Sequence, residues 1–239
     1  MIKVFCYRLD DSIRFSDDDL ENLNISKSRK EKIKRFKVKK SRIASAFAEI
    51  LLAYGIKDYF GIEYKDMEIE YIETGKPYCS NHKNLYYNIS HSNQWIACGV
   101  ATSEIGIDTE VIQGINIAIA KRFFASEEYE IIKQTPAPIR NKIFIKYWTL
   151  KESYVKALGT GLSTSLDTFY FKFPKDEIKL KDEIEFYNQG ELDDSYLFHT
   201  FELDDENLIS VCSRTEEPVE IEIVDDIHMK ALFNAACSG

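Results

Sequence analysis

The chain has 239 residues, 44% hydrophobic and 13% aromatic, enough to bury a core as one domain or two small ones, which excludes disorder as its main state. No stretch approaches the roughly 20 uncharged apolar residues of a membrane helix, and Arg8, Asp10 and Asp11 come too soon for a signal peptide, so a cytoplasmic protein is expected. A net charge of −9 excludes general affinity for nucleic acid, and five scattered cysteines without CxxC or Cys/His spacing exclude structural zinc and read as reduced thiols.

Residues 2–7 read as a short strand and residues 28–56 as helical, with Ile43, Phe47, Ile50, Leu51 and Tyr54 at helical spacing and Gly55 closing the helix. Between Lys27 and Arg42 lie ten Lys or Arg residues against one acid, Glu31. In an acidic protein such a strip suits a local polyanion site, and equally a solvated helix face. Residues 67–72 read as a strand, Thr74-Gly75-Lys76-Pro77 as a turn, and residues 85–89 and 95–101 as strands separated by Ser90-His91-Ser92-Asn93. Residues 105–112 form a further predicted strand, residues 115–124 begin helical matter, and residues 142–158 are a patterned helix ended by Gly159-Thr160-Gly161. The tail over residues 169–224 reads as a meander of strands with acidic turns. No Pro-, Gly- or Ser-rich linker divides the chain; a break near residue 103 would leave an N-terminal α+β half, 1–103, and a C-terminal α+β half, 104–239.

The chemistry concentrates at a few places. In Gly106-Ile107-Asp108-Thr109-Glu110-Val111 the period of two sets Gly106, Asp108 and Glu110 on one face. Two neighbouring carboxylates repel unless water or a cation neutralises them, and such hard oxygens suit Mg²⁺; the glycine beside them would leave room for a ligand. Alone, the same pattern describes an edge strand with a solvated acidic face. Trp148, Glu152 and Lys156 form one i, i+4, i+8 row, which puts Glu152 beside the apolar stripe where burial raises a carboxylate's pKa and Lys156 could compensate. The plain reading of that pair is a boundary ion pair. Asn88-Ile89-Ser90-His91-Ser92 suits holding phosphate or orienting a proton transfer, or is a polar turn. Gly75-Lys76-Pro77 aims an ammonium from a rigid turn, or is a surface hairpin.

Read in order, Gly75-Lys76-Pro77, Asn88-Ile89-Ser90-His91-Ser92, Gly106-Ile107-Asp108-Thr109-Glu110 and the stretch from Trp148-Thr149-Leu150-Lys151-Glu152 to Lys156-Ala157 resemble the signature of the 4′-phosphopantetheinyl transferases. The likeness is to the surfactin-synthetase-activating type, and it extends through Ala118-Ile119-Ala120-Lys121-Arg122-Phe123-Phe124-Ala125-Ser126-Glu127-Glu128-Tyr129 and the glycine-ended stretch 157–163. The resemblance implies an α+β pseudo-dimer of two similar halves with the active site between them. It implies transfer of 4′-phosphopantetheine from coenzyme A, as co-substrate, to a serine of an apo acyl or peptidyl carrier-protein domain, with Mg²⁺ as cofactor, 3′,5′-ADP as product and a monomer as the working form. It assigns Asp108, Glu110 and Glu152 as metal ligands. Glu152 is also implied as general base, acting directly or through water, with Lys156 steadying the pyrophosphate. Arg29 and Lys32 match positions holding the 3′-phosphate; Ser45, Lys76, Ser90 and His91 match other coenzyme contacts, His91 also counting among the catalytic positions. The match is loose around residues 41–45, where Arg42 lies off the position expected for an arginine beside Ser45, and it carries nothing beyond residue 167. An acidic helical carrier would meet basic groups near residues 37–42 and apolar ones in 115–124, unless Phe123 and Phe124 are core. Two rivals remain on the residues alone: a Mg-dependent phosphodiesterase or nucleotide hydrolase using water, and a non-catalytic coenzyme- or carrier-binding module. The acceptor pathway, in fatty-acid, polyketide or nonribosomal peptide synthesis, is not legible in motifs.

Overall fold

The structure, a computed structural model, describes residues 1–10, 12–173 and 183–238. In chain order its strands and helices begin β1 (Ile2–Arg8), α1 (Asp17–Asn22), α2 (Lys27–Lys34), α3 (Lys39–Phe60), β2 (Ile69–Tyr71), β3 (Pro77–Cys79), β4 (Tyr86–Ser92), β5 (Trp95–Ala101) and β6 (Ile105–Val111). They continue with α4 (Ile117–Phe123), α5 (Ser126–Gln134), α6 (Ala137–Leu158), β7 (Phe169–Lys172), β8 (Glu185–Asn188), β9 (Glu191–Leu192), β10 (Leu197–Asp204), β11 (Asn207–Ser213), β12 (Val219–Ile223) and α7 (Asp226–Ser238). The fold is α+β. Its contacts divide into a first unit of Met1–Glu70, Pro77–Thr102 and Pro218–Gly239, and a second of Tyr71–Lys76 and Ser103–Glu217.

The first unit is a four-stranded sheet in the order β12-β1-β5-β4, covered by α3. The apolar residues expected at helical spacing do face this core: Ile43, Phe47, Ile50 and Leu51 pack with Phe5, Tyr7, Ile96 and Cys98. The expected single helix over residues 28–56 is two, α2 and α3, because the chain leaves helical form at residues 35–38. Gly55 does not close it. It lies inside α3, where a Cβ would stand 2.8 Å from Phe5 Cδ2, so the glycine serves close approach of helix to strand. The helix ends six residues later at Gly61, whose φ of 68° permits the left-handed cap.

The expected tail meander divides between two sheets, β7-β8-β9 in one and the β10-β11 hairpin beside β6 in the other, while its part at residues 174–182 lies outside the described residues. Its last strand goes elsewhere: β12 pairs parallel with β1, Val4 opposite Ile221, and α7 then adds Met229 and Phe233 to the first unit's core. Phe233 stacks on Phe47 at 5.7 Å. A strand lying parallel to a partner some two hundred residues away leaves no turn signal in the sequence.

In the second unit, β6 pairs antiparallel with β11, and β11 with β10, while α6 lies across this sheet. Tyr154 of α6 anchors an aromatic core, with ring centroids 4.7 Å from Phe186, 4.8 Å from Phe169 and 5.2 Å from Tyr196. Gly159, at φ 73°, ends α6 as expected from the sequence.

Candidate active site

The sequence placed the acidic pair on β6, and the structure shows what holds that strand to α6. A Cβ on Gly106 would stand 2.0 Å from Ser153 O and 2.3 Å from Ala157 N. The space expected for a ligand beside the carboxylates is therefore filled by the backbone of α6. This contact sets the register: with Gly106 under Ser153 and Ala157, Asp108 lies along the strand where Lys156 reaches it, Nζ donating to Oδ1 at 2.7 Å. Asp108 is 5% exposed, and the ammonium keeps it company at the sheet surface.

Glu152, one turn before Lys156, has its carboxyl raised above the ordinary glutamate range. Burial is the largest cause, followed by the charge of Asp108, with Glu110 adding to it and Lys156 opposing. Glu152 thus feels the charge of both strand carboxylates. Among the described residues no three His, Cys, Asp or Glu side chains are gathered tightly enough to cage a metal ion. The donor set nevertheless fits one: all-oxygen, anionic, mutually repelling, with a carboxylate held partly out of water. Beneath α6, Thr149 and Thr200 both bond to Ser210 Oγ, at 2.7 and 3.0 Å, a buried hydroxyl row that ties α6, β11 and β10 together. Ser210 stands opposite Asp108 in the ladder.

The first unit brings together Arg29, Lys32, Ser45 and His91 around a cavity of about 210 Å³, with Glu49, Tyr87, Asn88 and Pro77 completing its wall. Arg29 reaches it because Ser26 caps α2 by accepting from the Arg29 amide. His91 does so because β4 runs on through Ser92, so the expected Ser90-His91-Ser92-Asn93 turn shrinks to a reversal around Asn93, at φ 53°. Strand alternation then turns Ser90 inward, 5% exposed, and His91 outward. Lys76 is elsewhere: its ammonium donates to Ala157 O at 2.6 Å and to Ile105 O at 3.4 Å, both of the second unit, and burial lowers its pKa. Arg42 pairs with Asp17 and lines a separate cavity with Lys37, Lys39 and Phe15. Of the apolar residues 115–124, Phe124 is core at 4% exposure, whereas Ile119 and Phe123 are 38% and 41% exposed.

Sequence reasoning passed over Glu49 and Lys151. Glu49 is an acid within an apolar helix stretch, 2% exposed, paired with Arg29. Lys151, inside the Trp148 to Glu152 motif, is fully buried against Glu128 of α5. A charged residue at a core position of an amphipathic helix is the signal that could have found both.

Two family models divide this chain between them. Residues 104–212 match the 4′-phosphopantetheinyl transferase superfamily, and residues 19–104 match the 4′-phosphopantetheinyl transferase N-terminal family. The chain belongs to the 4′-phosphopantetheinyl transferase superfamily. The surfactin-synthetase-activating type expected from the motifs agrees with its relatives. A Bacillus subtilis protein described as 4′-phosphopantetheinyl transferase is 29% identical over 96% of this chain and 97% of its own length. The 4′-phosphopantetheinyl transferase Sfp of Bacillus subtilis strain 168 is 28% identical over 93% of this chain and 97% of its own. The 4′-phosphopantetheinyl transferase HetI of Nostoc is 38% identical over 44% of this chain and 47% of its own.

Proposed function

We propose that this chain transfers 4′-phosphopantetheine from coenzyme A to a serine hydroxyl of an apo carrier-protein domain, with the chemistry on β6 and α6. The observation that carries the site assignment is the raised pKa of Glu152, caused by burial and then by Asp108 and Glu110, beside the Lys156 ammonium. The serine oxygen bonds to the phosphorus joined to pantetheine as the bond from that phosphorus to the bridging oxygen breaks, and 3′,5′-ADP leaves with the electron pair. Glu152, pushed toward neutrality by burial, accepts the serine proton. Lys156 places a positive charge where the leaving oxygen gathers its negative one. Asp108, Glu110 and Glu152 would hold Mg²⁺, which when bound supplies neutralisation of the diphosphate. Arg29, Lys32, Ser45 and His91 hold the nucleotide end of the coenzyme, and Ser90 supports the last of these from the same strand. Lys76 reaches a phosphate only by leaving the end of α6.

The chain is read as a pseudo-dimer of two similar α+β halves that acts as a monomer in the cytoplasm. Exposed Ile119 and Phe123 offer apolar contact to a carrier, and Lys37 and Lys39 offer charge. The test is intact-mass analysis of an apo carrier incubated with coenzyme A and Mg²⁺. Asp108→Ala and Glu152→Gln should each abolish the mass gain while retaining the native circular dichroism spectrum, and chelation should halt the wild type until Mg²⁺ is restored. Near-wild-type transfer by either variant overturns the assignment. Hydrolysis of coenzyme A without any carrier would favour the phosphodiesterase reading instead.

A further inference from the structure

The cavity of the first unit holds an acid, Glu49, in a wall that also carries the cations Arg29 and Lys32. Glu49, facing inward from α3, is 2% exposed in a helix whose neighbours Phe47, Ile50 and Leu51 are core. A carboxylate there is sustained only by partners. Its partners among the described residues include the Arg29 guanidinium, in an ion pair with Oε1, and the Tyr64 hydroxyl, which donates to Oε2 at 2.7 Å. Tyr64 belongs to the short 3-10 turn Tyr64–Asp66 after α3, so α2, α3 and that turn meet at one carboxylate. The Arg29 side chain is 12% exposed, and both it and Glu49 line the cavity with Lys32.

We propose that Glu49, braced by Tyr64, is the positioning residue that fixes the Arg29 guanidinium in the cavity wall, preorganised for a terminal phosphomonoester of the coenzyme. The proposal rests on the reading of this cavity as the nucleotide site. An arginine left to itself samples many rotamers, and ordering it on binding costs affinity; a bidentate-capable fork locked beforehand loses little. Glu49 also opposes the mutual repulsion of the two cations. Partial burial and then Arg29 lower the Lys32 pKa, and Glu49 pulls it the other way. The cost of this arrangement is one negative charge near the phosphate. Variants that keep that charge therefore isolate the positioning effect from the electrostatic one.

Glu49→Asp retains the charge but retracts it by a methylene, and Tyr64→Phe retains the carboxylate but removes its brace. The full-length protein is titrated calorimetrically with coenzyme A and with dephospho-coenzyme A, which lacks the 3′-phosphate, in the absence of carrier. Arg29→Ala serves as the reference. Glu49→Asp should weaken coenzyme A binding about tenfold and Tyr64→Phe about threefold, the scale of releasing one ordered arginine. Dephospho-coenzyme A should bind both variants as it binds wild type, and turnover at saturating coenzyme A should change less than about twofold. A structural role alone would move both ligands together. If Arg29→Ala discriminates between the ligands while Glu49→Asp and Tyr64→Phe do not, the positioning role is overturned and the nucleotide site stands. If Arg29→Ala itself fails to discriminate, the nucleotide reading of the cavity falls and the positioning role falls with it.

Discussion

Glu128 of α5 and Lys151 of α6 form an ion pair at 2.8 Å in which neither side chain reaches solvent. Each is fully engaged. Lys151 also donates to Leu166 O and Phe169 O, both at 2.7 Å, while Glu128 accepts from the amides of Phe171 at 3.0 Å and Ala125 at 3.2 Å. Burial pushes both groups toward their neutral forms, and their mutual attraction opposes it. Since Lys151 directly precedes Glu152, this network fixes the roll of α6 and so the direction in which the proposed base points.

Removing one partner strands the other's charge in the interior. Glu128→Ala is expected to cost about 3–5 kcal/mol, and Lys151→Met a similar amount. The double variant should cost less than the sum, because the charge penalty disappears although four backbone groups remain unsatisfied. Urea unfolding of the three variants measures this. Strict additivity would mean that the two side chains do not act as a pair.

Two glycines test how tightly helices lie on strands. At Gly55 the obstacle to a methyl is the ring edge of Phe5, at 2.8 and 2.9 Å, which can tilt. Gly55→Ala gains about 1 kcal/mol of helix propensity and loses about 1–3 kcal/mol to overpacking, so a small net loss of stability is expected. At Gly106 the obstacles are Ser153 O and the Ala157 backbone, which cannot move without lifting α6 from β6. Gly106→Ala should lose more stability than Gly55→Ala and lose transfer as well, since Asp108 and Lys156 are brought together by that contact. Thermal melts and the carrier mass assay on both variants decide it; equal, mild effects would refute the register argument.

Periodicity explains how much was legible. Residues 105–111 and 142–158 carry local patterns, period two and i, i+4, and local patterns survive in one dimension; Asp108 with Glu110, and Glu152 with Lys156, could therefore be paired from periodicity, while joining the two pairs into one site rested on the family resemblance. What a glycine or charge does depends on a neighbour distant in the chain. Gly55 looked like a cap because Phe5 lies fifty residues away, and Gly106 looked like ligand space because α6 comes later. Glu49 was lost in an apolar run whose partners, Arg29 and Tyr64, flank it on either side. The return of β12 to β1 was hidden for the same reason.

Lys76 was expected at a coenzyme phosphate, yet its ammonium meets the carbonyl of Ala157 at the end of α6, where the helix dipole favours a cation. Thr74 of the same turn bonds to Gly159 O. Lys76→Met should therefore lower stability by about 1.5–3 kcal/mol, the worth of a charge-assisted hydrogen bond. Chemical denaturation measures the loss. An unchanged midpoint accompanied by weaker coenzyme A binding would instead support a coenzyme contact.

His199 supplies a pH dependence with a definite sign. It lies on β10, opposite Val211 of β11 and with its ring 6.3 Å from that of Phe201, and burial lowers its pKa below the ordinary histidine value of 6.5. The unfolded chain then binds a proton more readily than the folded one. The contribution of the neutral imidazole is whole above about pH 6.5, the unfolded value, and is lost as pH falls through the lower folded value. Carboxylates also titrate in acid, so the informative quantity is the difference between wild type and His199→Gln. Urea midpoints from pH 7.5 to 5 should show wild type losing stability relative to the variant as pH drops. A difference that stays constant across that range would show that the imidazole titrates alike in both states.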